Sequence, residues 1–362
     1  MQIPVNRING RKAFTSKDTY LYFAGTAYLG IPFLAKFQKE VEKGFKTWGS
    51  NYGSSRAGNL DLRIYREAET YFADWLGMES ALTFSSGYLA AGAFIEWAKG
   101  SNYKIIRTNG DHPSLWSYEH LETKESKMGF KPGEMENQEV IRTIHGNPET
   151  SFLVLCTSVN PILGHIYDFS WIKEIQKSIL VLIDDSHGMG LLGKEGRGIL
   201  DFLPQNDLVK IVVVSSLGKA LGVPAGVLSG PQNIIEKIKT SPFFLSSSPC
   251  GPGFLQAFLK SDSLYKIQLE KLRENMSCFK EISQKWSGYT SLHPVFCLKD
   301  LPITISQEDL FLNLWKEKIL ISSFPYPNRE SKAMNRVVIL STHKKKDLKK
   351  ISRHLEKWIG KM

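Results

Sequence analysis

Four short runs in the middle of the chain, Ser151 to Cys156, Ile179 to Ile183, Val209 to Val214 and Gly226 to Leu228, alternate with stretches of helical patterning. Such alternation predicts an α/β fold, a mainly parallel central sheet covered by helices on both faces. In that architecture ligands collect at the carboxyl ends of the strands. Those ends carry the polar words of this sequence: IDDSHGMG follows the second run and SSLGKALG follows the third. After about Gly251 the pattern changes to a long helical stretch through roughly Trp286, then to short strands near Val295 to Leu298 and Arg336 to Leu340. This second pattern predicts a smaller α+β unit. No internal repeat or low-complexity linker is evident.

With 362 residues and 42% hydrophobic content, the chain can bury the core of a large domain plus a smaller one. Its longest apolar runs fall well short of the roughly 18 to 20 residues a membrane span needs, so no span is expected. The N-terminus, MQIPVNRINGRKAF, has no apolar core followed by a small-residue cleavage site, which makes the cytoplasm the expected location. Cys156, Cys250, Cys278 and Cys297 stand far apart with no CxxC pair, which argues against a disulfide framework and against a zinc site. No metal is expected. The formal charge of +10 is most concentrated from Lys344 to Lys350. Leu348, Ile351, Leu355, Trp358 and Ile359 recur there at helical spacing, so the basic residues form the solvated face of an amphipathic terminal helix rather than a nucleic-acid site. A basic rim would also attract a polyanionic cosubstrate such as a CoA thioester.

Asp184 and His187 follow one strand and Lys219 follows the next, so all three project into one crevice. A carboxylate, an imidazole and an amine are what pyridoxal 5′-phosphate (PLP) chemistry requires. The lysine carries the Schiff base, the anion holds the pyridine nitrogen protonated, and the imidazole sits beside the ring hydroxyl. Taken alone, Lys219 reads as a solvated loop lysine; its company changes that reading. The phosphate of such a cofactor needs backbone N–H groups at a helix N-terminus together with small hydroxyl residues. FSSGYLAAGAF supplies them, with Ser85, Ser86 and Gly87 just ahead of an Ala-rich helical stretch and the amides of Gly87 and Tyr88 available to a dianion. A capped helix start without a ligand would look the same. In Asp111-His112-Pro113-Ser114, His112 is positioned to stack on the pyridine ring, whereas Gly53-Ser54-Ser55-Arg56 reads by itself as a polar turn.

In order along the chain, TAYLG, GSSR, WLGMESALTFSSGY, DHPS, DDSHGMGLLGKEGRG and SSLGKALGVPAG resemble the α-oxoamine synthase family of PLP enzymes. The likeness runs from about Tyr22 to Trp358. It implies a fold type I, aspartate-aminotransferase-like homodimer with active sites at the subunit interface. It also implies that residues 1–45 pack with the small domain, that 46–250 form the large PLP-binding domain, and that 251–362 form the C-terminal small domain. By resemblance, Lys219 bonds the cofactor, Asp184 pairs with the pyridinium, His187 lies beside O3′ and His112 on the ring face. Gly87, Tyr88, Ser86 and Ser216 fall at the phosphate, Ser246 and Ser247 match the place from which the partner subunit reaches it, and Arg336 falls where the family holds the substrate carboxylate. Arg336 by itself is equally a surface arginine at a strand start. The chain departs from the pattern at Thr26, where the family usually has an asparagine contacting substrate. It departs again at Pro161, which replaces a serine and leaves Asn160 as the stand-in.

The reaction implied is condensation of a small amino acid with an acyl-CoA. The alternatives are a PLP-dependent aminotransferase or aldol-type lyase of the same fold and, from a different class, a non-catalytic binding protein that kept it. Aminotransferases of this fold place a tyrosine three residues after the ring aspartate and an aromatic residue on the ring face, where this chain has His187 and His112. A serine hydrolase reading of Asp-Asp-Ser-His fails because no GxSxG elbow surrounds Ser186.

Overall fold

The computed structural model describes residues 3–108, 115, 136–284, 291–298, 301, 305–325, 331 and 333–359. Two compact units emerge: Lys36–Asn160 with Tyr167–Asp262, and Met1–Ala35 with Pro161–Ile166 and Ser263–Met362.

The larger unit is built on a six-stranded sheet in the spatial order Ser80–Phe84, Gly226–Gly230, Val209–Ser216, Ile179–Asp184, Phe152–Thr157, Lys104–Arg107. The last four run parallel, and Gly226–Gly230 is antiparallel to both of its neighbours. All six residues of Phe152–Thr157 and of Ile179–Asp184 are buried, as expected of strands covered on both sides. The helix Gly87–Lys99 lies on this sheet. Its Ala90, Ala91, Ala93 and Ala98 let the backbone approach closely, while Phe94 and Ile95 fill the space against Leu82, Leu155, Leu182 and Val214. Asp184 stands level with Val214 on one side and Thr157 on the other, so three parallel strands end together.

The smaller unit has its own six-stranded sheet, ordered Arg7–Ile8, Lys12–Phe14, Thr19–Phe23, Ile319–Pro325, Ala333–Val338, Val295–Cys297. The N-terminal strand Thr19–Phe23 pairs in parallel with Ile319–Pro325, so the two ends of the sequence share one sheet. The terminal helix Lys345–Ile359 buries Leu348, Ile351, Leu355 and Ile359, and Trp358 is half-buried beside them.

The helical stretch expected after Gly251 is two helices, Pro252–Leu259 and Asp262–Ser283, because Ser261 and Asp262 are residue types that start a helix. Division between the units falls at Ala35 and Asp262, where the sequence suggests 45 and 250. The helix Ala35–Trp48 counts with the larger unit for a packing reason. A β-carbon at Gly44 would overlap the Gly253 backbone, and Trp48 Nε1 donates to Gln256 Oε1 at 2.5 Å. Among the described residues no helix is long and apolar enough to cross a membrane.

Candidate active site

Asp184 ends its strand buried, and its Oδ1 accepts the Ser186 amide at 2.9 Å. That bond turns the chain sharply, and the Asp185 carbonyl then accepts the amides of Gly188 and Met189 at 3.0 and 2.9 Å. His187, also buried, rides on this turn. On the adjacent strand the chain leaves Ser216 into a closed turn, with Leu217 N donating to Ala225 O at 2.9 Å and Val223 N to Leu217 O at 3.0 Å. Lys219 sits on that turn, partly buried. Burial lowers its pKa below the ordinary lysine value, and the negative fields of Asp184 and Asp185 oppose that shift. The three side chains picked out as a constellation thus share two neighbouring turns of the larger unit.

The helix Gly87–Lys99 begins beside them. Ser86 is its N-cap, with Oγ accepting from Leu89 N at 3.1 Å, so this hydroxyl serves the helix itself. A β-carbon at Gly87 would lie 2.7 Å from Ser216 N and Cα, and one at Gly226 would overlap the Ser86 carbonyl. The Ser86–Gly87 turn is therefore wedged between two strands at a distance only glycine permits. Ser85, Ser86 and Tyr88 are exposed, which leaves the helix start accessible to an anion. Ser246 is exposed and Ser247 half-buried, just past the short helix Pro242–Leu245, and Ser247 Oγ donates to Phe244 O at 3.4 Å. Asn160 Nδ2 donates to the Tyr167 hydroxyl at 3.0 Å. His112 lies outside the described residues.

Arg336 and Thr26 belong to the smaller unit. Thr26 is half-buried in a bend. Arg336 donates from NH1 to the Pro161 carbonyl, lies 4.6 Å from the Phe324 ring centre, and has a buried Nε without a hydrogen-bond partner among the described residues. Burial lowers its pKa, opposed by nearby Tyr28 and Cys297. A buried guanidinium with a spare N–H is poorly satisfied as it stands.

Three site features escape a motif reading. Ser186 Oγ accepts the Ser216 amide at 2.9 Å and so joins the two polar words. Glu69 accepts both the amide and hydroxyl of Thr83, at 2.9 and 3.0 Å, and pairs with Arg56 at 2.6 Å, which anchors the strand leading to Ser86. Asp185, the second acid of the pair, is wholly buried. The available signals were an acid inside a buried turn and an Arg–Glu pair set around a helix; both are invisible without knowing what packs where.

The sequence profile of the aminotransferase class I and II family matches residues 27–355. The chain belongs to that family. Named proteins resemble it along nearly its whole length. The 8-amino-7-oxononanoate synthase of Petrotoga mobilis is 28% identical over 356 residues, covering 94% of this chain and 87% of that one. Its counterpart in Thermosipho melanesiensis is 26% identical over 334 residues, covering 89% and 83%. Among solved structures, Sphingomonas wittichii serine palmitoyltransferase superposes with a TM-score of 0.82 at 18% identity, over 98% of this chain and 91% of that one. The Francisella tularensis 8-amino-7-oxononanoate synthase gives 0.71 at 20% identity, over 93% and 97%. The fold is that of the type I PLP-dependent transferases.

Proposed function

We propose that this chain is a PLP-dependent α-oxoamine synthase that carries its cofactor on Lys219 and condenses a small amino acid with an acyl thioester. The observation that carries this reading is the placement of Lys219 and Asp184 on adjacent turns at the ends of neighbouring parallel strands, with burial holding the lysine pKa down.

The residues present suit the cofactor. A helix start wedged against Ser216 offers the Gly87 amide to a phosphate, with the helix dipole adding to the attraction. The buried Asp184 carboxylate, fixed by the Ser186 amide, is suited to a pyridinium nitrogen, and His187 to the ring hydroxyl. When bound, PLP supplies an electron sink that stabilises negative charge at an amino acid Cα. Lys219 Nζ, whose lowered pKa favours the free amine, takes the Cα proton. By resemblance, Arg336 holds the amino acid carboxylate, and Thr26 stands where the family has an asparagine. Asn160 and Tyr167 stand as a hydrogen-bonding pair beside Pro161. By resemblance, His112 polarises the thioester carbonyl, and Ser246 and Ser247 serve the phosphate of a partner subunit's site in a homodimer.

The test is direct. Borohydride reduction of the PLP-loaded protein should leave a stable adduct on Lys219 in a peptide map. Glycine, alanine or serine together with an acyl-CoA should release free thiol only when both are present. Keto-acid exchange without thiol release would make the chain an aminotransferase instead; absence of any Lys219 adduct would end the PLP reading.

A further inference from the structure

Asp185 is the most fully enclosed titratable group beside the site, and no step above uses it. Its side chain has no exposure to solvent. A β-carbon at Gly188 would overlap its Oδ1 and one at Gly198 would overlap its Oδ2, so the carboxyl fills a slot between two glycines of the same loop. Gly198 also sits at φ +83, a conformation that other residues resist. Oδ2 accepts the Ile199 amide at 3.0 Å across the base of the loop, and Ile199 is itself buried. Ser158 also acts on the carboxyl, while its Oγ and Asp185 Oδ1 each lack a hydrogen bond of ordinary geometry among the described residues. The loop so closed, residues 186–199, carries Ser186, which holds the Ser216 amide, and His187. Its far side is tied down separately, where Arg197 NH2 donates to the last carbonyl of helix Arg63–Leu76, Leu76 O, at 2.9 Å.

Among the described residues, an ionised carboxyl in this slot would be a buried charge with the Ile199 amide as its one donor of ordinary geometry and no hydrogen-bonded cation. Asp184 stands next to it and disfavours its ionisation, while the Lys219 ammonium acts on both acids. We propose that Asp185 is a positioning residue, a neutral carboxyl that clasps the 186–199 loop against the strand ends and leaves Asp184 as the single anion facing the cofactor. With Oδ2 taken by the Ile199 amide, the proton of the neutral carboxyl falls on Oδ1, the oxygen without a partner among the described residues. Consistent with this, burial pushes the Asp185 carboxyl up to about 7, opposed by the nearby Ser158 hydroxyl and the Ile199 amide, with Asp184 raising it and Lys219 lowering it.

The cofactor half of this inference rests on the PLP reading; the clasp does not. Full-length Asp185→Asn and Asp185→Ala proteins separate the two. Asparagine mimics a neutral acid, so its amide hydrogen exchange over residues 186–199 without PLP, and its PLP Kd, should stay within about twofold of the parent at pH 6. Against the parent, it should also lose the fall in thermal stability that the raised Asp185 pKa brings as pH rises from about 4 to about 7, beyond which the parent's curve flattens. Alanine should raise exchange across 186–199 and weaken PLP binding, each by about tenfold or more, because Ile199 N–H is left unpaired. Exchange in the helix Pro252–Leu259 should not change. Asparagine behaving as badly as alanine, or alanine leaving 186–199 unchanged, overturns the proposal. If Asp185→Ala does not fold, Asp185→Asn decides alone by retaining or losing parental exchange and pH response. A parent that binds no PLP but shows the expected exchange pattern would defeat the PLP reading and leave the clasp standing.

Discussion

The hydroxyl of Ser186 accepts the backbone amide of Ser216 at 2.9 Å, joining the turn that follows one parallel strand to the end of the next. Through that bond the Asp184–His187 turn and the Lys219 turn are held in one arrangement. Ser186→Ala should therefore weaken PLP binding by about tenfold and lower stability by about 1–3 kcal/mol, the usual cost of stranding a buried amide. Equilibrium dialysis with PLP and denaturant unfolding measure the two. A variant that loses stability but keeps full PLP affinity would show that the bond serves folding alone.

Replacing Lys219 with arginine keeps a positive charge beside Asp184 and Asp185 but removes the nucleophilic amine. The expected result is a folded protein with no borohydride-stable adduct, and with thiol release at least about 10²-fold below the parent. Near-parental turnover in this variant would remove Lys219 from the chemistry.

Arg336 has a buried Nε–H without a partner among the described residues, while its NH1 is held by the Pro161 carbonyl. Arg336→Lys should raise KM for the amino acid by about tenfold or more and also lower Tm, since an ammonium cannot reproduce the guanidinium fork or its contacts with Pro161 and Phe324. Steady-state kinetics with the amino acid varied at saturating acyl donor gives the answer; a change in kcat alone would place the arginine elsewhere in the reaction.

His343 in the smaller unit predicts a pH effect away from the site. Its Nδ1 accepts the Leu340 amide at 3.0 Å and its Nε2 lies 2.9 Å from the Tyr22 carbonyl, which requires the neutral ring with hydrogen on Nε2. Burial pulls the imidazole down to about 4, opposed by the Tyr22 carbonyl and by Asp347, with Arg11 lowering it further. In the unfolded chain the same ring titrates near about 6.5. Between those values the unfolded state binds a proton that the folded state does not. Stability is therefore fully present above about 6.5, falls as pH drops towards about 4, and changes no further below it. His343→Asn should unfold more readily at pH 7 and lose part of the parent's decline between pH 6.5 and 4 in thermal melts. Parallel curves for the two proteins would contradict the assignment.

Much of the fold was legible because burial leaves a local mark. Strands covered on both faces must be apolar throughout, so Phe152–Thr157 and Ile179–Asp184 could be read from composition alone, and the terminal helix from its spacing. The polar words that follow such strands had to lie at a sheet edge, which is how Asp184, His187 and Lys219 came together on paper. Strands such as Ser80–Phe84 and Thr19–Phe23 carried no comparable signal, because their pairing partners, Gly226–Gly230 and Ile319–Pro325, lie far away in sequence. The same holds inside the site. Tertiary packing decided that the Ser86 hydroxyl caps its own helix, that Ser186 reaches Ser216, and that of two adjacent aspartates the second is sealed between glycines. A side chain's type and spacing are written in the sequence, but its solvation and its hydrogen-bond partner depend on which distant segment is folded against it, and those two quantities set its charge and its role.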